Sequence, residues 1–164
     1  MNKIITYNFG LYHPSIYISD LQSIINLEKK NNIVILSFMG KNPFENIIND
    51  KNVQYYFFKV NDFPWENINT LFPITYNIIH NSLLYGEDVY IHCRMGVSRS
   101  VTILIAFFLT CLQKSPQLVI PFIPKTRNTW TDSILYWIQQ KRSIANPNNG
   151  FMRQLYDYEK ELLS

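Results

Sequence analysis

The sequence predicts an α/β fold, a single-domain sandwich in which helices flank a mostly parallel central sheet of about five strands. Runs of β-branched and aromatic residues alternate along the chain with helical patterns, as they do in successive βαβ units. No repeat, linker or low-complexity tract divides the 164 residues, a length typical of one domain. With 47% hydrophobic and 15% aromatic residues the chain can build one substantial core, which excludes a disordered or disulfide-scaffold protein.

Five runs rich in β-branched or aromatic residues predict the strands. We expect an edge strand at residues 4–9 and further strands at 15–19, 33–38, 55–60 and 89–92. Helical patterns lie between most of these runs, so neighbouring strands are expected to run parallel.

Two helices are predicted before the last strand. The first begins at Leu21 and ends at the asparagine pair 31–32. The second covers residues 65–83, where apolar residues recur three and four positions apart, and Gly86 closes it. Trp65 is interpreted as a core anchor of this helix, with a place beside the functional site as the alternative.

Three further helices are predicted after the last strand. The near-continuous apolar run after Ser100 predicts a helix that is buried on most sides, Thr131 is expected to cap the next helix, and residues 151–162 give one apolar face of a C-terminal helix. Residues 113–130 contain three prolines and fit neither pattern. We interpret them as a loop or short extra element at the far end of the apolar helix.

Charge and hydropathy exclude several function classes. The longest apolar run, 101–112, is shorter than the roughly 20 residues that a membrane-spanning helix needs. The first residues lack the apolar stretch of a secretory signal, and the net charge of +3 is too small to indicate nucleic-acid binding. We therefore expect a cytoplasmic monomer with no membrane and no nucleic-acid partner.

The two cysteines, Cys93 and Cys111, are expected to be unpaired thiols. If most residues between them are helical, they stand about 27 Å apart at about 1.5 Å per residue. A disulfide needs Cα atoms about 4.4–6.8 Å apart. The cysteines therefore indicate a reducing, intracellular compartment.

The residues that carry chemistry follow the last predicted strand. Backbone N–H groups of residues 94–99 can curl around one phosphate, and the start of the next helix adds partial positive charge. Gly96 permits the tight curl because glycine adopts positive φ without cost, and Arg99 can hold two phosphate oxygens. The predicted phosphate-binding residues are Arg94, Met95, Gly96, Val97, Ser98 and Arg99.

Cys93 is the predicted nucleophile. The helix start and Arg99 favour its thiolate, which can attack phosphorus and form a cysteinyl-phosphate. Ser100 can donate its hydroxyl to the sulfur and ease its departure, whereas His92 is expected to brace the loop by hydrogen bonding. The competing interpretation is a core cysteine beside a surface arginine, and the combined spacing of strand, cysteine, glycine, arginine, serine and helix weighs against it.

The pattern His92-Cys93-x5-Arg99-Ser100 resembles the signature of the cysteine-dependent protein tyrosine phosphatases, and residues 96–100 look like their dual-specificity branch. The resemblance covers nearly the whole chain and implies a dual-specificity phosphatase catalytic domain over residues 1–164, with the corresponding fold. It implies hydrolysis of phosphotyrosine and phosphoserine or phosphothreonine without a metal or a cofactor. Residues 113–130 exceed the family's usual length at this place and are interpreted as an atypical insertion.

Residues 95–100 and 141–155 together look most like the slingshot phosphatases. That resemblance implies a phosphoprotein substrate of the cofilin type. Within the closing segment, Asn148 is expected from the resemblance to hydrogen-bond the back of the phosphate loop, with a simple turn residue as the alternative.

Asp62 is the predicted general acid. The resemblance implies an aspartate about thirty residues before the cysteine, and Asp62 precedes Cys93 by 31 positions. Such a group protonates the leaving oxygen. Capping of the following helix is the alternative role of Asp62, and Asp88 is a weaker candidate for the acid.

The substrate range follows from what surrounds the loop. We find no second recognition loop of the kind that deepens the pocket of tyrosine-specific members, so a shallow, dual-specific pocket is expected. Arg94 can meet an acidic or second phosphate group, or can be an ordinary solvated residue. Two other functions stay open, a non-catalytic phosphopeptide-binding module and an RNA 5′-triphosphatase that uses the same cysteine loop.

Overall fold

The computed structural model describes residues 1–28, 32–45 and 52–164. Five strands are found within these residues: β1 (Asn2–Thr6), β2 (Ser15–Ser19), β3 (Ile33–Met39), β4 (Val53–Lys59) and β5 (Asp88–His92). They form one sheet in the order β1-β2-β5-β3-β4, in which β1 is antiparallel to β2 and the other neighbours are parallel. The predicted mostly parallel sheet is confirmed.

The helices also follow the predicted order. They are α1 (Leu21–Ile25), α2 (Phe72–Leu84), α3 (Arg99–Lys114), α4 (Trp130–Gln139) and α5 (Asn149–Leu163), with single 3₁₀ turns at Ile68–Leu71 and Pro116–Leu118. Of the asparagine pair expected to end the first helix, Asn31 lies outside the described residues, and α1 already ends at Ile25.

The start of the second helix differs from the prediction. Helix α2 begins at Phe72 and not at Trp65, and Pro73 lies in its first turn. Proline has no N–H to donate to a preceding turn, so it fits the start of a helix and not its interior. Trp65 is 74% exposed and stacks on Phe63 with ring centroids 4.8 Å apart, so its interpretation as a core anchor is wrong.

The cap of α4 lies two residues before the predicted one. The Thr129 side chain accepts a hydrogen bond from the Asp132 amide and is the N-cap. The Thr131 hydroxyl instead donates to the Glu159 carboxylate of α5, at 2.7 Å. The Thr131 side chain, which the sequence predicted as the cap, is therefore bound to a tertiary partner, Glu159.

The two faces of the sheet pack against different helices. Alternate residues of β3 separate as a strand's period of two requires: Val34, Leu36 and Phe38 join the main core with α2, α3, α4 and α5, whereas Ile33 and Ile35 join a smaller cluster with α1. Every residue of α3 from Arg99 to Cys111 is buried, as the apolar run predicted.

The carboxyl ends of the parallel strands meet at one edge of the sheet. His92, the last residue of β5, is the Cα partner of both Ser19 in β2 and Ser37 in β3, and Met39 in β3 is level with Lys59 in β4. The loops that follow these strands therefore converge, and open α/β sheets bind ligands at such an edge.

Residues 113–130 lie at the end of α3 that is opposite to Arg99. Leu118, Val119 and Ile123 are buried there, and the Tyr7 hydroxyl donates to the Leu118 carbonyl at 2.8 Å. The segment closes the core far from the sheet edge described above. Within the described ranges, no helix has both the length and the apolarity to cross a membrane.

Candidate active site

A tight loop joins β5 to α3 and forms the base of the site. Gly96 has φ +66°, the left-handed region, and a Cβ atom there would lie 2.7 Å from the Ser19 carbonyl oxygen. Glycine is thus required both by conformation and by contact. The Leu21 amide donates to the Arg94 carbonyl at 3.0 Å and fixes the other side of the loop.

Arg142 holds this loop from behind. Its side chain is 6% exposed, and its guanidinium donates to the Gly96 carbonyl at 2.8 Å and the Met95 carbonyl at 3.0 Å. The guanidinium also donates to the Asn2 side-chain oxygen at 2.7 Å. With these carbonyls turned toward Arg142, the loop has its acceptors occupied at the back and can present N–H groups at the front.

Cys93 lies at the bottom of a cavity of about 300 Å³, which we call the catalytic cavity and which Asp62, Arg94, Met95, Val97, Ser98 and Arg99 also line. The Cys93 side chain is 2% exposed, and its Sγ lies 3.2 Å from the Ser100 Oγ. The N-cap residue Ser98 makes no side-chain hydrogen bond to the first turn of α3, within the described part of the chain. The helix start is therefore available to an anion held above the sulfur.

Arg99 brings a buried positive charge into the catalytic cavity. It is 8% exposed, and one terminal nitrogen donates to the Val60 carbonyl at 3.0 Å, which ties the guanidinium to the end of β4. Its Nε is buried and has no hydrogen-bond partner among the described residues. A buried guanidinium with an unmatched donor suits a phosphate oxygen.

Asp62 stands at the rim of the catalytic cavity, on the loop after β4. Its Oδ1 accepts a hydrogen bond from the Asn148 side-chain amide at 2.9 Å. The same asparagine caps α5 by accepting from the Phe151 amide at 2.9 Å, and its backbone N–H donates to the Ser98 Oγ at 2.9 Å. One residue, through its side chain and its backbone N–H, thus links the carboxylate, the loop after β5 and a helix start.

Helix α5 holds the rest of the Asp62 loop. Gly150 packs so closely on the Pro64 backbone that a Cβ atom could not fit. Gln154 donates to the Glu66 carbonyl at 2.8 Å and accepts from the Asn69 amide at 3.1 Å. The position of the carboxylate is therefore set by residues nearly ninety positions later in the chain.

His92 is fully buried beneath the loop. Its Nδ1 lies 3.2 Å from the Cys93 carbonyl oxygen, and its ring meets Phe44 edge to face. Burial lowers the pKa of His92 to about 4, and the nearby Arg99 charge acts in the same direction. The enclosed imidazole contacts the loop backbone and is not among the described residues that line the catalytic cavity.

Most of the predicted site residues converge at this edge of the sheet. Asp88 does not, because it begins β5 at the opposite edge and accepts from the Ser15 amide at 2.8 Å. Sequence reasoning assigned no role to Arg142, since a lone arginine outside the signature carries no spacing signal. It also missed the contact between Asn148 and Asp62, which joins two segments whose proximity only the fold determines.

The α/β fold and the cysteine-arginine loop define a class, the cysteine-dependent phosphatases with a small catalytic domain. Residues 16–161 match the family described as dual specificity phosphatase, catalytic domain. The chain belongs to this family.

The chain is also similar to individual proteins and to a solved structure. Human dual specificity protein phosphatase 22 is 31% identical over 162 residues, 98% of this chain and 74% of that protein. Human serine/threonine/tyrosine-interacting protein is 30% identical over 146 residues, 87% of this chain and 59% of that protein. The crystal structure of DUSP15 matches with a TM-score of 0.70 at 26% identity, covering 89% of this chain and 83% of that one.

Two points limit how far the likeness extends. The chain spans 52% to 74% of the length of the phosphatase 22 relatives from mouse, human and two Xenopus species. None of the relatives named above is a slingshot phosphatase, so the slingshot likeness gains no support. The RNA 5′-triphosphatase and phosphopeptide-binding alternatives are not favoured by these matches.

Proposed function

We propose that this domain is a protein phosphatase that hydrolyses phosphotyrosine and phosphoserine or phosphothreonine through a cysteinyl-phosphate intermediate. The observation that carries the proposal is the catalytic cavity. There Cys93 Sγ, the unmatched Arg99 Nε and the uncapped start of α3 surround a space of about 300 Å³, with the Asp62 carboxylate at its rim.

In the first step the substrate phosphate binds to the loop N–H groups and to Arg99. The Cys93 thiolate attacks phosphorus, a P–S bond forms, and the bond from phosphorus to the leaving oxygen breaks. Asp62 gives its proton to that oxygen, so the alcohol or phenol leaves neutral. Ser100, at 3.2 Å from the sulfur, stabilises the thiolate by donating its hydroxyl.

In the second step water replaces the leaving group. Asp62, now ionised, takes a proton from the water as its oxygen attacks phosphorus. The P–S bond breaks, inorganic phosphate is released, and the Cys93 thiolate is restored. His92 keeps the loop in place through its contact with the Cys93 carbonyl and takes no proton in either step.

The first test compares hydrolysis of p-nitrophenyl phosphate by the native protein and by Cys93→Ser, with a chelator present. We expect turnover by the native protein and none by the variant, because the serine hydroxyl is a far weaker nucleophile at neutral pH. A folded, reduced native protein without activity would refute the phosphatase assignment.

The second test addresses Asp62. The profile of kcat/KM against pH should be bell-shaped, with the acidic limb set by the nucleophile and the basic limb by the general acid. Asp62→Asn should lower kcat for phosphoserine peptides and remove the basic limb. If both were unchanged, Asp62 would not be the acid.

Finer assignments are part of the same proposal. The exposed rim and the lack of a second recognition loop support a dual-specific pocket, and the two unpaired, buried cysteines support a reducing compartment, the cytoplasm. The slingshot resemblance supports a cofilin-type phosphoprotein as substrate. We further propose that residues 1–164 act as one monomeric catalytic domain with an insertion at 113–130.

A further inference from the structure

We infer that a second anion-binding subsite lies beside the catalytic cavity, where Lys41 and Arg94 hold a second anionic side chain of the same phosphopeptide. This inference rests on the proposed function and specifies its substrate. The subsite is a groove of about 390 Å³, which we call the side groove and which is lined also by Met39, Asn61 and Phe63.

The side groove and the catalytic cavity are continuous. Asp62, Arg94 and Arg99 line both of them. Lys41 follows the end of β3, whose last residue is level with the end of β4, so it belongs to the same converging loops. Because successive residues of an extended peptide advance by about 3.3–3.6 Å, a side chain within a few positions of the phosphoresidue can enter the groove.

Charge in the side groove is unbalanced. Lys41, Arg94 and Arg99 face a single carboxylate among the described lining residues, that of Asp62, and Asn148 already donates to it. Lys41 and Arg94 are exposed, and no described residue makes a hydrogen bond or ion pair with either side chain. Among the described residues, the groove therefore has two cations without a partner, and a ligand can bind to them.

The remaining walls favour one anionic group on a peptide and not a run of phosphates. Asn61 is fixed by two hydrogen bonds to the Glu66 carboxylate, from its backbone N–H at 3.3 Å and its side-chain amide at 3.0 Å. Phe63, 46% exposed, adds an apolar ring to the lining of the same groove. A phosphate or a carboxylate on a neighbouring residue has the acceptor oxygens that Lys41 and Arg94 need.

The test uses a set of phosphotyrosine peptides that are identical except for one second residue, placed in turn at each position from three before to three after. That residue is alanine, glutamate or phosphoserine. We expect kcat/KM to rise roughly fivefold for an anionic residue at the preferred position, more for phosphoserine than for glutamate, and the gain to shrink in 1 M salt.

Lys41→Gln should remove most of this gain and leave kcat/KM for the all-alanine peptide unchanged. The matched control is Lys160→Gln, which removes an exposed lysine at the far end of α5 and should keep the gain. A gain that is absent at every position, or that survives in Lys41→Gln, would overturn the subsite. Faster, Lys41-dependent turnover of a soluble inositol bisphosphate than of any peptide would overturn the peptide assignment.

The all-alanine peptide distinguishes a failure of the subsite from a failure of the proposed function. If it is hydrolysed and the second anion has no effect, the phosphatase proposal stands and the subsite is wrong. If no peptide is hydrolysed, the proposed function is wrong, and the affinities of the same peptides, measured by calorimetry, still decide whether Lys41 binds the second anion.

Discussion

Asn148→Asp is the most direct probe of how the proposed general acid, Asp62, is controlled. In the native protein the Asn148 amide donates to the Asp62 carboxylate at 2.9 Å, while its side-chain oxygen caps α5. Aspartate caps a helix as well as asparagine does, and its charge is favourable at a helix start. The substitution therefore keeps the fold and replaces a hydrogen-bond donor by a negative charge.

The size of the effect follows from the distance. Two unit charges 2.9 Å apart repel by about 1.4 kcal/mol in a medium as polar as water, which is the relevant limit at an exposed rim. Because about 1.36 kcal/mol corresponds to one pH unit, the basic limb of the kcat/KM profile should move up by about one unit.

The assay compares two substrates. A phosphoserine peptide has a poor leaving group and needs the acid, whereas p-nitrophenyl phosphate does not, so only the peptide's basic limb should move. Asn149→Asp adds the same charge one residue along, on an exposed side chain, and should leave the limb in place. If the two variants gave the same profile, or if the peptide's limb did not move, Asn148 would not act on Asp62.

Three further predictions concern the support of the loop. Arg142→Met leaves the Gly96 carbonyl and its neighbour without a donor, which should lower the free energy of unfolding by about 2–4 kcal/mol and activity with it; an unchanged urea midpoint would contradict this. The folded pKa of His92, about 4, lies below its unfolded value of about 6.5, so the unfolded chain binds the extra proton and stability falls as pH drops from 6.5 to 4, by up to about 3 kcal/mol. In urea titrations, the free energy of unfolding of His92→Gln should lack this fall. If it fell with pH as steeply as that of the native protein, the assignment would be refuted. Burial raises the pKa of Cys111, so iodoacetamide should label the folded protein at Cys93 only, as peptide mass mapping can check.

Much of the fold could be predicted because the local residue pattern favours the same element that burial in the tertiary structure requires. The β-branched and aromatic run at 15–19 suits a buried strand, the long apolar run after Ser100 suits a buried helix, and both elements are confirmed. One error arose where a local signal, the proline at 73, outweighed the helical spacing, and another arose where a tertiary contact overrode the local pattern. Trp65 has the right helical spacing, yet Pro73 sets the start of α2, and Thr131 gives its hydroxyl to Glu159 and not to a cap.

The sequence by itself determined the predicted phosphate loop, because its parts follow one another within residues 88–99 and their chemistry is local. These parts are a strand, a cysteine, a glycine, an arginine and a helix start. Gly96 has the positive φ that this pattern requires. Only the tertiary structure decided which residues hold the loop and which residue positions the Asp62 carboxylate. Arg142 reaches the loop's carbonyls from 46 residues away, and Asn148 reaches Asp62 across 86. Such pairs have no shared periodicity or spacing in the chain. The packing of α4 and α5 on α3, and of α5 on the 3₁₀ turn Ile68–Leu71, brings them together, and no local pattern does.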